Sequence, residues 1–458
     1  MHVFSIAPPL AWARRHWLPL ALFLVFAAVS VQYTLKAMES RSAVLRWREQ
    51  LLLLDGSEDI YQKFTHPNSP IMALTLRPIA ELPPLAGALV WFYLKVAMTF
   101  LLLHWIFKLV EDPDRPFPLW GKALAVLLSL RPMVGDLSHG NVNLYILFLV
   151  AGALYAFRQG RDFLSGVVLA LAIASKVTPA LFVPYFLWKR AWKSLAGVAA
   201  GLVLFVWLVP GLALGFAENA ELFTSWRKQM IDPFLFGGQV AYSEHHNQSL
   251  PGLVVRLATE SPSFTPDDGG STSYHNLLNL EPKLADWLFV KTAMLAFAGL
   301  IVCACRTPTW PRATWRLAAE FSLVVLCMLI FSERTWKHHC VVLVLPFTVL
   351  TYYLAACRPR PGLRAYLICT LASVLLLMAS TSTSLAGWES GKLAQVYGAY
   401  LWAHCLLVIA MAVVLLRREV VPGVHPAPEL QISHCKVQIQ IEAGVPTLAR
   451  QSEIGNLR

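Results

Sequence analysis

A chain of 458 residues that is 57% hydrophobic and 14% charged, with a mean hydropathy of +0.55, carries more apolar surface than one soluble core of ordinary proportions can bury. Its formal net charge of +11 would suit nucleic acid, but the Lys and Arg residues stand in short clusters between apolar runs, where the positive-inside rule puts them. The sequence therefore argues against a DNA or RNA partner and for a membrane protein with many spans. Eight cysteines (303, 305, 327, 340, 357, 369, 405 and 435) lie mostly in or beside apolar segments without a CxxC pair, which indicates neither a disulfide framework nor a zinc site.

Apolar runs predict spans near 17–37, 84–109, 118–133, 142–157, 163–188, 194–214, 285–304, 315–332, 339–356, 364–386 and 395–416. The first run lacks a small-residue cleavage site and follows Arg14 and Arg15, so it is expected to be a retained anchor with residues 1–16 in the cytoplasm. In the loop 38–83, Val44, Trp47, Leu51 and Leu54 recur at helical spacing among Arg41, Arg46, Arg48 and Glu49, which predicts a helix over 40–54 lying on the membrane surface. The run 163–188, FLSGVVLALAIASKVTPALFVPYFLW, holds Lys176 and Pro179 at its middle. As one straight helix it would place a cation at the bilayer centre at a cost of about 2.5–3.5 kcal/mol. A break at Ser175–Pro179 removes that cost and makes the run a hairpin whose arms return to their starting side.

With that hairpin, the clusters Arg158 and Arg161, Lys189 to Lys193, Arg306 to Arg316, Arg358 to Arg364, and Arg417 with Arg418 all fall on the cytoplasmic side. The expected fold is an all-α polytopic membrane protein of about 11 to 12 segments, including the broken or re-entrant helix at 163–188. It has two long outer loops, 38–83 and 215–284, and a polar cytoplasmic tail, 417–458, expected to be mobile. The opposite side receives nearly all the unusual polar residues: Glu39, Asp59, Asp136, His139 and Asn143 in GDLSHGNVN, Lys176, Asn247 and Gln248 in SEHHNQSLPGL, and Arg334, His338 and His339 in SERTWKHH.

Each has an ordinary alternative. A carboxylate in a solvated loop is usually a surface acid, and paired histidines are usually interfacial polar residues pointing in different directions. Asn247 with Ser249 also matches a glycosylation sequon. Lys176 is the exception, because an ionisable group embedded in an apolar run is a functional candidate by default.

The segment HGNVNLYILFLVAGALYAFRQGRDFLSGVVLALAIASKVTPALFVPYFLWKRAW resembles the core of glycosyltransferase family 87, with its Gly-Gln/Asn-x-Asn turn, basic inner loop and Lys-x-Thr-Pro break. HPNSPIMALTLRPIAELPP, NQSLPGLVVRL and SERTWKHHCVVLVLP are similar to three further family segments, so the resemblance spans roughly 17–416. It implies a GT-C class enzyme that transfers a hexose or pentose, mannose above all, from a polyprenyl-phosphate donor to a lipid or glycan acceptor hydroxyl on the extracytoplasmic face of the cell membrane. No cofactor or metal is implied.

Such transfer requires a carboxylate to take the acceptor proton, and cations or amides to hold the departing phosphate. The family's catalytic aspartate stands soon after the first span, where this chain has Glu39; Asp59, nearer a later turn, is preferred here for its residue type, with Glu39 as its rival. Lys176, His338, His339, Arg334, Asn143, His139, Asp136, Asn247 and Gln248 are the expected donor-binding residues. Two other classes would share many of these features: a transporter or lipid flippase, whose polar residues should line a pathway open in turn to both sides, and an inactive GT-C relative that has lost its base.

Overall fold

The computed structural model describes residues 9–54, 59–64, 66–235, 241–265, 271–310 and 312–417, and within these the chain is almost entirely helical. The tail expected over 417–458 lies outside the described residues from 418 onward. Among the described residues, seven helices are long and apolar enough to cross a membrane: Trp17–Met38, Pro84–Val110, Trp192–Leu214, Pro282–Ala304, Lys337–Ala356, Pro361–Ser380 and Ala399–Leu416. Helices Leu119–His139, Asn143–Arg158, Asp162–Ser175 and Trp315–Ile330 run between them. The chain is thus an all-α polytopic membrane protein.

Burial separates centre from perimeter. Lys337–Ala356 is 78% buried over its apolar window and Pro282–Ala304 only 11%, so the first is a core helix and the second exposes its apolar side chains at the rim. The only paired strands among the described residues are Pro262–Phe264 and Ser273–Tyr274, a short antiparallel ribbon in the second long loop.

The broken hairpin forms as its sequence dictates. Helix Asp162–Ser175 stops with Lys176 in an extended conformation (φ −154°, ψ 126°), a tight turn spans Thr178–Leu181 with Pro179 at its start, and helix Phe182–Trp188 leads back. Both arms end on one connecting segment. Arg312 pairs with Asp162 at the start of the outgoing arm, and Lys189, at the end of the returning arm, donates to the carbonyls of Cys305 (3.0 Å) and Thr307 (2.7 Å). Glycines then let the next helix lie against the outgoing arm: a Cβ on Gly166 would stand 2.0 Å from the Ser194 carbonyl, and one on Gly197 2.1 Å from that of Phe163.

The same end of the molecule gathers Arg158, whose guanidinium bonds the Glu111 carbonyl at 2.7 Å, and Arg316, which bonds the Leu415 carbonyl. At the opposite end lie the turn between helices Leu119–His139 and Asn143–Arg158, the hairpin tip at Lys176, and the 332–338 turn. The helix expected over 40–54 is present as Ala43–Leu52, burying Ala43, Val44 and Leu51. The rest of that loop contains a further helix, Pro70–Glu81, which the apolar-run reading leaves as loop.

Candidate functional site

The 136–143 turn is built first. Helix Leu119–His139 ends on Gly140 at φ +68°, a left-handed cap that a side chain disfavours, and an added Cβ would stand 2.2 Å from the Ser42 hydroxyl. Trp91 and Lys95, one turn apart on helix Pro84–Val110, grip this turn from below. The Trp91 indole donates to the Gly140 carbonyl at 3.0 Å, while Lys95 Nζ donates to the carbonyls of Asp136 (2.9 Å) and Asn141 (3.1 Å) and to Asp136 Oδ2 (3.4 Å). Lys95 and Asp136 are fully buried, and three acceptors occupy the three ammonium hydrogens.

Asp136 then passes the order along. Its Oδ2 accepts from the Leu144 amide at 3.2 Å, capping helix Asn143–Arg158, and its Oδ1 accepts from Asn143 Nδ2 at 3.1 Å. That amide is therefore fixed with its oxygen outward, and Asn143 Oδ1 receives Lys176 Nζ at 2.6 Å. Among the described residues this is the only hydrogen bond of the Lys176 ammonium, which leaves two donors for a ligand. It faces a small cavity lined by the polar residues Asn143, Lys176, Thr178, Ser332 and His339 together with the apolar residues Ile146, Met328, Leu329 and Val342.

Imidazoles cluster beside the cavity, His339 in its lining and the others behind it. Asn141 Nδ2 lies 3.1 Å from His338 Nε2, and as an amide nitrogen it donates, so that ring nitrogen carries the lone pair. His139 stacks on His338 at 4.9 Å between centroids, and Trp336 lies parallel to His339 at 6.3 Å. Lys36 and Arg46, on the first helix and helix Ala43–Leu52, act electrostatically on His139, and Arg46 on His338 as well, so the rim is cationic.

Asn247 and Gln248 lie beside this cluster but spend their amides on backbone. Asn247 Nδ2 donates to the carbonyls of Tyr242 and Glu333, both at 2.8 Å, and its Oδ1 accepts from Ser249 and Thr335. Gln248 bonds the carbonyls of His245 and Gln395 and accepts from Tyr400. Together they hold the 332–336 turn in place ahead of His338. Arg256, wholly buried, joins the same scaffold by donating to the carbonyls of Val396, Ser243, Glu244 and Asn247. Arg334 is exposed, pairs with Glu333 and stacks over Tyr242, away from the cavity lining.

The two loop-one acids occupy different places. Asp59 begins helix Ile60–Phe64: its Oδ1 accepts from the amides of Tyr61 (2.9 Å) and Gln62 (3.3 Å), and its Oδ2 from the Gln62 side chain (3.0 Å). Glu39 is exposed, pairs with Arg41, and sits in the turn after the first span; that turn's Ser42 hydroxyl lies against Gly140, next to His139. Glu244, His245 and His246 carry possible metal-ligand atoms within 4.8 Å of one another, and burial, helped by His246, pushes the His245 imidazole down to about 3.

Lys95 is a buried member of this cluster that the sequence reading passes over, although its signal resembles that of Lys176: a cation well inside an apolar run, 84–109, whose other lysine, Lys108, stands at the end. Residues 64–332, more than half of the chain, match the family model described as Glycosyltransferase family 87. The chain belongs to glycosyltransferase family 87. The match takes in Lys95, the Asp136–Asn143 turn and Lys176, and it ends at Ser332, ahead of the Trp336–His339 segment; Glu39 and Asp59 both precede it.

Three relatives share 26% identity with this family 87 chain. The polyprenol-phosphate-mannose-dependent alpha-(1-2)-phosphatidylinositol mannoside mannosyltransferases of Mycolicibacterium smegmatis and Mycobacterium tuberculosis align over 80% of the chain and over 79% and 81% of their own lengths. The corresponding phosphatidylinositol pentamannoside mannosyltransferase of M. smegmatis aligns over 74% of the chain and 73% of its own length. No solved structure matches the chain.

Proposed function

We propose that this glycosyltransferase moves a hexose, mannose, from a polyprenyl-phosphate carrier to a hydroxyl of a lipid acceptor such as a phosphatidylinositol mannoside, at the extracytoplasmic surface of the cell membrane. One observation carries the reading: an ammonium with a single hydrogen-bond partner among the described residues, Lys176, opens onto a cavity lined by both polar and apolar side chains. A phosphate attached to an isoprenoid presents that same pair of chemistries. The named donor and acceptor of the relatives agree with it.

In the reaction, the acceptor oxygen attacks the anomeric carbon, its proton goes to a carboxylate, and the bond from that carbon to the phosphate oxygen breaks, leaving the phosphate on its lipid. Lys176 and the Asn143 amide, with the His339 imidazole that also lines the cavity and His338 packed against it, stabilise the departing charge. Glu39 is the base in this reading, because the Ser42 hydroxyl of its turn abuts Gly140, whereas Asp59 is occupied at a helix start. The basic end faces the cytosol, residues 17–416 form the GT-C domain in 11 to 12 membrane segments counting both hairpin arms, loops 38–83 and 215–284 face outward, and the tail from 417 is cytoplasmic.

The test is transfer by purified protein of labelled sugar from polyprenyl-phosphate mannose and polyprenyl-phosphate pentose to lipid acceptors, with product analysis. Mannolipid formed by the parent protein, lost in Glu39→Gln by about 10²- to 10⁴-fold and retained in Asp59→Asn, supports the assignment. Activity surviving in both variants would remove the loop-one base, and no product from any lipid-linked sugar would remove the transferase reading.

A further inference from the structure

The buried cation of helix Pro84–Val110 has no place in the transfer chemistry itself, yet it stands at the head of the chain of contacts that ends at Lys176. We propose that Lys95 is a positioning residue of the lipid-phosphate site: it neutralises Asp136, so that the Lys176 ammonium keeps its charge for a phosphate rather than for the carboxylate behind it. This rests on the lipid-phosphate reading above.

The geometry is a relay with a defined order. Asp136 stands between two ammonium groups, bonded directly to Lys95 and separated from Lys176 by one amide, that of Asn143. Its charge acts on Lys176 across that amide. With Lys95 in place, one carboxylate meets two cations, and the cluster keeps a net positive charge directed at the cavity. With Lys95 neutral, one carboxylate would meet one cation in a dry environment, and an arriving phosphate would compete with Asp136 for Lys176.

Asp136 also has a structural task, capping helix Asn143–Arg158 and setting the Asn143 amide with its oxygen outward, and an asparagine at this position keeps one acceptor oxygen for that task. Lys95 thus permits an acid that orders the turn to sit within one amide of a cation that must stay available. Its other two hydrogen bonds, to the carbonyls of Asp136 and Asn141, fix the same turn, and Asn141 in turn holds His338.

The experiment separates charge balance from simple support of the turn. Binding of geranylgeranyl phosphate to detergent-solubilised protein is titrated for the parent, Lys95→Met, Asp136→Asn and the double variant, with thermal unfolding recorded for each. Charge balance predicts binding about tenfold weaker in Lys95→Met and restored toward the parental value in the double variant, where no carboxylate competes for Lys176. It also predicts that Asp136→Asn alone binds at least as tightly as the parent, which keeps the test open if Lys95→Met fails to fold. If the turn merely needs support, the double variant binds no better than Lys95→Met and Asp136→Asn binds worse; that result overturns the proposal. A parent that binds while Lys95→Met binds equally well overturns it too, leaving the transferase reading intact. A parent with no affinity for the lipid phosphate overturns both.

Discussion

Two lysines of the broken hairpin occupy opposite ends of the molecule, and their surroundings differ in kind. Lys189, at the end of the returning arm, meets Glu320 Oε2 at 2.6 Å and the carbonyls of Cys305 and Thr307, while Tyr185 donates to the same Glu320 oxygen at 2.8 Å and the Thr307 amide to Glu320 Oε1 at 2.6 Å. The ammonium and the carboxylate are paired there, and the three lysine hydrogens and both Glu320 oxygens all have partners. Lys176, at the tip, has one amide oxygen, and its nearest acid is already taken by Lys95. A cation that serves the fold is saturated by the fold; a cation kept for a ligand is held by one contact and left otherwise open.

The comparison can be broken most severely at the saturated end. Lys189→Met strands Glu320, which is wholly buried, without a counter-charge and is expected to cost about 3–5 kcal/mol, read as a loss of folded protein in thermal unfolding. Lys176→Met should instead leave unfolding close to the parent while slowing transfer about 10²- to 10³-fold, the scale of losing one preorganised donor to a developing charge. If both variants fall in stability alike, the distinction between the two lysines fails. Gly140→Ala sharpens the account of the turn beside Lys176: the left-handed conformation costs about 1–2 kcal/mol with a side chain, and the Ser42 hydroxyl must also move. Reduced stability together with weaker lipid-phosphate binding is the expected pair of results.

The smallest expected effect lies in the first loop. Burial pushes the His66 imidazole down from 6.5 to about 4, and its Nδ1 donates to Gln50 Oε1 at 2.6 Å in the neutral form. The unfolded chain takes up this proton first, so stability is full above pH 6.5, falls as the pH drops toward 4, and loses no more from this group below it. In a pH series of unfolding temperatures, His66→Asn should flatten part of that slope, and an unchanged slope would exclude His66 as its source.

Much of this was legible in the chain itself. The hairpin followed from one lysine and one proline in an apolar run, and most spans begin and end within a few residues of the observed helices, as in 84–109 against Pro84–Val110. Helix Leu119–His139 runs past the expected 118–133 because the stretch from Val134 to His139, mixed in polarity, is held by the turn packed on Trp91 and Lys95. Around the candidate site the sequence shows residue types but not their contacts. Asn247 and Gln248 have the composition of ligand-binding amides, and only tertiary structure reveals that backbone groups from residues 333–335 and 395–400 claim them. The proposed choice of Glu39 over Asp59 rests on the contact of Ser42 with Gly140, residues far apart in sequence whose meeting no local pattern encodes.

The most direct measurement is a side-by-side titration of polyprenyl-phosphate mannose against purified parent, Lys176→Met and Lys176→Arg proteins of equal thermal stability, following mannose transfer. The account predicts transfer by the parent, its loss in the methionine variant and a partial return in the arginine variant, which restores the charge in a different shape. Transfer by Lys176→Met at the parental rate and donor concentration dependence would contradict it.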